Sequence, residues 1–138
     1  MTTERSRPGT ASDARNRRII ASQYLEVAEL AAVEEGDVAN NVVVGISVLA
    51  GIAASDAICL SATGTRYAGE DHAEAARVLG RTDRQLGNEL RKLVRLKPAA
   101  HYGSTFISAS DRTRALRAAR TLVEAATTRT LSPPPRPE

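Results

Sequence analysis

The sequence feature that most constrains the fold is a long uncharged segment, residues 38–65, in which Asp56 is the one charged side chain. The segment is too long for a β-strand and lacks the alternation of apolar and polar residues. It therefore predicts a helix that ends at Gly64. A helix that is apolar on nearly all of its faces has to be enclosed, either by other helices or by lipid.

A membrane span is the alternative that the length of this segment raises, since about 20 apolar residues can cross a bilayer. Asparagines and serines dilute the segment, and Asp56 would cost roughly 2.5–3.5 kcal/mol near the bilayer centre. The segment has no aromatic belt, and its neighbours carry apolar stripes of their own. We therefore predict a buried central helix and no membrane association. Cys59, the single cysteine, lies inside it, which favours a buried thiol and a reducing, cytoplasmic setting.

Helical periodicity continues on both sides of the central segment. Before it, a helix is predicted to begin at Ser12, which can cap it, and to end before Gly36. After it, a turn that contains glycine leads to a short helix. This helix has Glu70 and Asp71 in its predicted first turn, where the helix dipole favours acids, and ends at Gly80.

The second half of the chain predicts two more helices. One starts with a capping box at Thr82 and stops before Pro98, and the other starts at Ser108. Their predicted inward-facing residues are Leu86, Leu90, Leu93, Val94, Leu116, Ala119, Val123 and Ala126. The predicted fold class is all-α, an antiparallel bundle of four main helices plus one short helix. The predicted domains are a disordered arm (1–11), the bundle (12–127) and a disordered proline-rich tail (128–138).

Charge is segregated along the chain, although the formal net charge is only +3. Residues 21–80 hold nine acidic and two basic side chains, which gives −7, and residues 81–120 hold ten basic and three acidic ones, which gives +7. Such asymmetry is typical of a nucleic-acid-binding face. It is also typical of helices that neutralise each other within one bundle or across a dimer, and this internal pairing is the interpretation that we favour.

An arginine followed six positions later by a histidine occurs twice, at Arg66–His72 and at Arg95–His101. Histidine titrates near neutrality, so it can take the 2′-hydroxyl proton of RNA or protonate the leaving oxygen. Arginine can hold the phosphate with its planar fork and stabilise the charge that develops. The pattern points to RNA cleavage without a metal ion. Phosphate-binding loops, serine nucleophiles and metal-ligand spacings are absent from the sequence, and we predict neither a metal nor a cofactor.

An all-α bundle of this size with arginine and histidine at such spacing resembles the HEPN domains, the "higher eukaryotes and prokaryotes nucleotide-binding" superfamily. The resemblance covers roughly residues 37–126 and rests on three passages: "ASDAICLSATGTRYAGEDHAEA", "LRKLVRLKPAAHYG" and "SDRTRALRAARTLVEAA". The middle passage is the most similar to the family's arginine, histidine and tyrosine segment. By this resemblance the catalytic residues are Arg95, His101 and Tyr102, with Asp56 as a supporting polar group. The alternative catalytic pair is Arg66 and His72.

The resemblance also implies a function and partners. In toxin–antitoxin relatives the domain is an endoribonuclease toxin, and a partner nucleotidyltransferase modifies the tyrosine. We therefore expect a bacterial, cytoplasmic homodimer that binds RNA or a nucleotide, with Arg91, Lys92 and Lys97 as RNA-binding residues. A nucleotidyltransferase or an antitoxin is the expected protein partner. We expect the dimer interface on the helix that contains residues 42–57 or on its neighbours.

The same residues also have purely structural interpretations, which the sequence leaves open. His72 can be an ordinary residue of a helix surface. His101 can cap carbonyls freed by Pro98, while Tyr102 packs its ring under the last helix. Asp56 needs a partner wherever it is buried, and Arg66 or an arginine of the basic segment can supply it. On these interpretations the chain is a non-catalytic dimerisation or interaction module, or a regulatory partner protein.

Overall fold

Helices make up most of residues 5–131, the part of the chain that the computed structural model describes. In chain order the elements are β1 (Ser6–Pro8), α1 (Ala11–Ala31), α2 (Asp37–Thr63), β2 (Thr65–Tyr67), α3 (His72–Thr82), α4 (Arg84–Val94), α5 (Lys97–His101) and α6 (Ala109–Leu131). The prediction of an all-α protein is confirmed, because the sheet consists of two strands of three residues each.

Helix α2 is the centre of the bundle. Within residues 5–131 it is the one helix long and apolar enough to cross a membrane, but 78% of its most apolar window is buried inside the protein. Its small residues let neighbours come close: Leu93 of α4 and Leu122 of α6 both pack onto Gly51. The prediction of a buried central helix that ends at Gly64 is confirmed, since Gly64 takes the left-handed conformation (φ 77°) at the C-terminus.

The main helices α1, α2, α4 and α6 alternate in direction. Helix α1 runs antiparallel to α2, because Arg17 near its start pairs with Asp56 while Ala28 near its end packs on Val43. Helix α6 runs parallel to α2, and the Ser61 hydroxyl donates to a carbonyl near the end of α6. Helix α4 runs opposite to both, as its N-terminal cap lies beside the last turns of α6.

Several helix boundaries differ from the prediction. Helix α1 is capped by Thr10 and not by Ser12, because Thr10 forms a reciprocal capping box with Asp13. Helix α3 continues through Gly80 to Thr82, so the predicted stop at Gly80 is wrong.

The next boundaries also shift. Asp83 caps α4 in place of the predicted Thr82, and its carboxylate accepts from the Leu86 amide at 3.1 Å. Pro98 does not stop α4, which already ends at Val94. It lies instead in the first turn of α5, where the missing N–H of proline is harmless. The Ser108 cap is borne out, because its hydroxyl accepts from the Asp111 amide, and all eight predicted inward-facing residues are buried.

Both chain ends differ from the predicted domain boundaries. Residues 6–8, placed in the disordered arm, form β1 and pair antiparallel with β2, and the Gly9 amide donates to the Gly64 carbonyl at 2.9 Å. At the other end α6 extends to Leu131, held by an ion pair between Arg129 and Asp83. Residues 1–4 and 132–138 lie outside the described part of the chain.

Candidate functional site

A cavity of about 200 Å³ lies where α1, α2, β2 and α3 meet. Arg17 of α1, Asp56 of α2, Arg66 of β2 and His72 of α3 all line it. The structure thus places the alternative catalytic pair, Arg66 and His72, at one cavity together with the predicted supporting residue Asp56. Arg17 joins them from α1, and no sequence pattern predicted its place at the cavity.

Arg66 is positioned by the short sheet. The left-handed Gly64 ends α2, and the chain then turns into β2, where Arg66 pairs with Arg7 of β1. The N-terminal strand thereby fixes a segment that would otherwise be an open loop. This is why Arg66 lies beside the last turns of α2 and near Asp56.

His72 is the first residue of α3, and the turn before it is tightly specified. The Asp71 carboxylate accepts from the Ala73 amide at 3.1 Å and caps the helix. The Asp71 amide in turn donates to the Tyr67 hydroxyl at 3.2 Å. A Cβ at Gly69 would lie 2.3 Å from that hydroxyl, so any other residue there would push the tyrosine ring out of its present position.

Asp56 links the two arginines of the cavity. Its Oδ2 accepts from Arg17 Nε at 3.1 Å and lies 3.0 Å from Arg17 Nη2, whereas Arg66 Nη1 is 4.0 Å away. Burial raises the pKa of the Asp56 carboxyl, and the charges of Arg17 and Arg66 oppose that shift. Since Arg17 holds the carboxylate directly, the looser guanidinium of Arg66 can turn towards an anion in the cavity.

The imidazole of His72 is less basic than an ordinary histidine. Burial lowers the pKa of His72 below 6.5, and the charge of Lys97 lowers it further. The charge of Asp71 raises this pKa, whereas His101 lowers it by a smaller amount. The lowered pKa favours the neutral ring, which is the form that can accept a proton. A general base of this kind is what removal of a 2′-hydroxyl proton requires.

Replacing Lys97 is expected to raise the pKa of His72. In Lys97→Gln the cation that disfavours the imidazolium is gone, so the pKa should move up towards 6.5. The shift can be followed by NMR titration of the histidine ring protons, with His72→Ala identifying the resonance. Lys92→Gln is the matched control, because Lys92 is held by Glu89 on another face of the molecule. An unchanged titration in Lys97→Gln would show that Lys97 does not act on the ring.

Cys59 also borders the cavity but is unsuited to be a nucleophile. Burial raises the pKa of its thiol to about 11, and the neighbouring Asp56 adds to the effect. The thiolate is the reactive form of cysteine, and at pH 7 this side chain stays protonated. Between residues 5 and 131, no three His, Cys, Asp or Glu side chains converge as metal ligands.

The structure places the first-choice catalytic residues in different surroundings. Arg95 lines a groove between α4 and α6, beside Arg114 and Arg117. His101 of α5 lies against α2, where its Nε2–H donates to the Gly45 carbonyl at 3.1 Å. The His101 ring lies only 3.3 Å from the position that a Cβ at Gly45 would occupy. This contact fits the anchoring interpretation of His101, although the carbonyl belongs to α2 and not to the turn at Pro98.

Tyr102 does not pack under the last helix, as its structural interpretation required. Its side chain is 79% exposed. The Lys97 ammonium lies 5.4 Å from its ring centroid, and its ring meets that of His101 edge to face at 6.1 Å. Tyr102 is therefore accessible from solvent.

The three predicted RNA-binding residues do not form one surface. Arg91 lies on the side of α4 that is next to α3. Lys92 pairs with Glu89 at 2.8 Å and lines the α4–α6 groove. Lys97 lies near His72 and Tyr102. Among the residues that the structure describes, the ion pair of Arg120 with Glu29 at 3.0 Å is an example of the predicted internal neutralisation. The pairs Glu74–Arg77, Glu89–Lys92 and Asp111–Arg114 each lie within a single helix.

None of the protein-family models, curated proteins or solved structures compared with this chain matches it.

Proposed function

We propose that the chain is a HEPN-like RNA-binding protein that cleaves RNA without a metal ion, and that Arg66 and His72 carry the reaction. The observation that supports this most is that both residues line one cavity, where burial favours the neutral form of the imidazole. The pair Arg95 and His101 has the same spacing, but its two side chains face different surroundings.

The proposed reaction uses the 2′-hydroxyl of RNA as nucleophile. His72 accepts the proton of that hydroxyl, and the 2′ oxygen of the RNA forms a bond to the adjacent phosphorus. The bond from phosphorus to the 5′ oxygen then breaks, and the leaving oxygen takes a proton from water. The products are a 2′,3′-cyclic phosphate and a 5′-hydroxyl. Arg66 stabilises the negative charge that builds up on the phosphoryl oxygens, as a fork of fixed donors does.

The biological setting that we propose follows from the resemblance. The chain would be the toxin of a toxin–antitoxin or defence pair, active in the bacterial cytoplasm and controlled by an antitoxin or a nucleotidyltransferase. The exposure of Tyr102 supports this part of the proposal, because a modifying enzyme can reach its hydroxyl only if the side chain is accessible.

A homodimer belongs to the same proposal. Large apolar side chains are exposed on α1 and on the first turns of α2, namely Ile19, Ile20, Val27, Leu30, Val38 and Val42. An apolar surface of this kind is typical of an interface. It also favours a second candidate function, a non-catalytic dimerisation module, which would use this surface but leave the Arg66–His72 cavity without a role.

The test of the proposal is cleavage of single-stranded RNA by the purified protein in the presence of EDTA. We expect fragments that end in a 2′,3′-cyclic phosphate. Arg66→Lys should lower the rate by about 10²–10³-fold, because lysine keeps the charge but loses the planar fork. Arg95→Lys is the matched comparison and should retain activity. Absence of cleavage would favour the dimerisation module, whereas activity that disappears with EDTA would contradict a reaction without a metal ion.

A further inference from the structure

A second polar depression, of about 420 Å³, crosses the outward side of α3 and α4. Four arginines (Arg77, Arg81, Arg84 and Arg91), Asn88 and two glycines line it, and we call it the arginine trough. Neither a carboxylate nor an apolar side chain is part of this lining.

The trough exists because two helix backbones touch at glycines. A Cβ at Gly87 would lie 2.6 Å from the Gly80 Cα and 3.0 Å from the Ala76 carbonyl oxygen, so α3 and α4 cross with no side chain between them. The floor of the trough is therefore backbone. The longer arginine side chains of both helices form its walls.

The charge of the trough is only partly neutralised by the protein. Arg77 pairs with Glu74. Arg91 donates to the neutral amide oxygen of Asn88 at 2.7 Å, and within residues 5–131 no carboxylate pairs with Arg84 or Arg91. Both side chains are exposed and lie seven residues apart, on one face of α4. Cations gathered in this way favour an anion with several charges.

We propose that the arginine trough binds the phosphates of an RNA strand that is held in the Arg66–His72 cavity. Helix α3 connects the two places, because His72, Ala75 and Val78 line the cavity while Arg77, Gly80 and Arg81 line the trough. The identity of the polyanion as RNA rests on the proposed function. The trough adds to that function a surface that binds the substrate at phosphates distant from the bond that is cleaved.

The composition of the trough favours a nucleic-acid backbone over a protein partner. A protein interface has an apolar centre, and this lining has none. Arginine forks match phosphate oxygens, and contacts to the backbone carry no base preference. No aromatic side chain is present on which a base can stack, so binding should be independent of sequence. The α4–α6 groove is the weaker candidate, because Glu89 and Asp111 lie among its cations.

The test is a binding measurement on the full chain carrying His72→Ala, so that no substrate is consumed. Fluorescence anisotropy with short oligouridylate and oligoadenylate should give similar affinities that fall with salt. The slope of log K against log salt should be about −2 to −3, which corresponds to three or four phosphates at about −0.7 each. Adding Arg84→Gln and Arg91→Gln should reduce the slope by about 1.4 and weaken binding roughly 25-fold at about 0.1 M salt.

The matched control removes the same charge from the α4–α6 groove with Arg114→Gln and Arg117→Gln. All four side chains are exposed, so both double variants should keep the helical circular dichroism of the parent. The trough assignment fails if Arg84→Gln/Arg91→Gln binds RNA like its parent, or if the groove variant loses more affinity. It also fails if polyglutamate displaces RNA at equal charge concentration, which would indicate an acidic protein partner.

The same variants separate this inference from the proposed function. RNA binding that depends on Arg84 and Arg91, without cleavage by the chain that keeps His72, would uphold the trough and refute the nuclease. Cleavage in EDTA that is unaffected by Arg84→Gln/Arg91→Gln would uphold the nuclease and refute the trough.

Discussion

His72→Ala is expected to lower the rate of RNA cleavage by about 10²–10⁴-fold, the usual contribution of a general base. The imidazole is half-buried at the cavity, and its lowered pKa favours the neutral form, which can accept the 2′-hydroxyl proton. Within residues 5–131 its ring makes no hydrogen bond, so removing it should leave the fold and melting temperature nearly unchanged. Cleavage assays and thermal denaturation on the same preparation measure both effects.

His101→Ala is the matched variant and should show the opposite signature. It removes the hydrogen bond to the Gly45 carbonyl that fastens α5 to α2, which contributes about 1 kcal/mol to the free energy of unfolding. RNA cleavage by this variant should persist when it is measured well below the melting temperature. If His101→Ala abolishes cleavage with the fold intact while His72→Ala is active, the catalytic pair is Arg95 and His101, as the family resemblance first indicated.

The two arginine–histidine pairs show what a sequence can and cannot predict here. Both have the same spacing, and the second lies in the passage most similar to the HEPN family, so the resemblance favoured Arg95 and His101. The difference arises from contacts between distant residues. Arg17 contacts Asp56, which lies 39 positions later in the sequence. The three residues of β1 hold Arg66 in place by pairing with β2, and they show no apolar periodicity that would predict a strand. No local pattern contains that information.

Periodic features were predicted well, because they depend on local spacing and not on contacts between distant residues. The apolar segment around α2 and the inward stripes of α4 and α6 follow from residue spacing alone, because burial of those faces is what the spacing encodes. The boundaries at Gly80 and Pro98 were not predicted correctly. Glycine and proline usually end helices, yet Gly80 stays inside α3 where it faces Gly87 of α4, and Pro98 lies in the first turn of the five-residue helix α5.

Gly87→Ala is expected to reduce the free energy of unfolding by about 3 kcal/mol, at the upper end of ordinary overpacking. The added methyl group would lie 2.6 Å from the Gly80 Cα, 2.8 Å from its nitrogen and 3.0 Å from the Ala76 carbonyl oxygen. All three atoms are backbone, so no side chain can move aside and α4 itself has to shift away from α3. A loss of this size is a large fraction of the stability of a small protein and is measurable by urea denaturation.

Gly80→Ala is the control on the other side of the same crossing. There the new Cβ would meet only the Gly87 Cα, at 4.0 Å, which is an ordinary contact. Because alanine is the better helix former, this variant should be unchanged or more stable by about 0.5–1 kcal/mol. The contrast separates the effect of the close approach from that of a glycine in a helix. Equal stability of the two variants would show that α3 and α4 do not cross at these glycines, and the floor of the arginine trough would then have to be assigned differently.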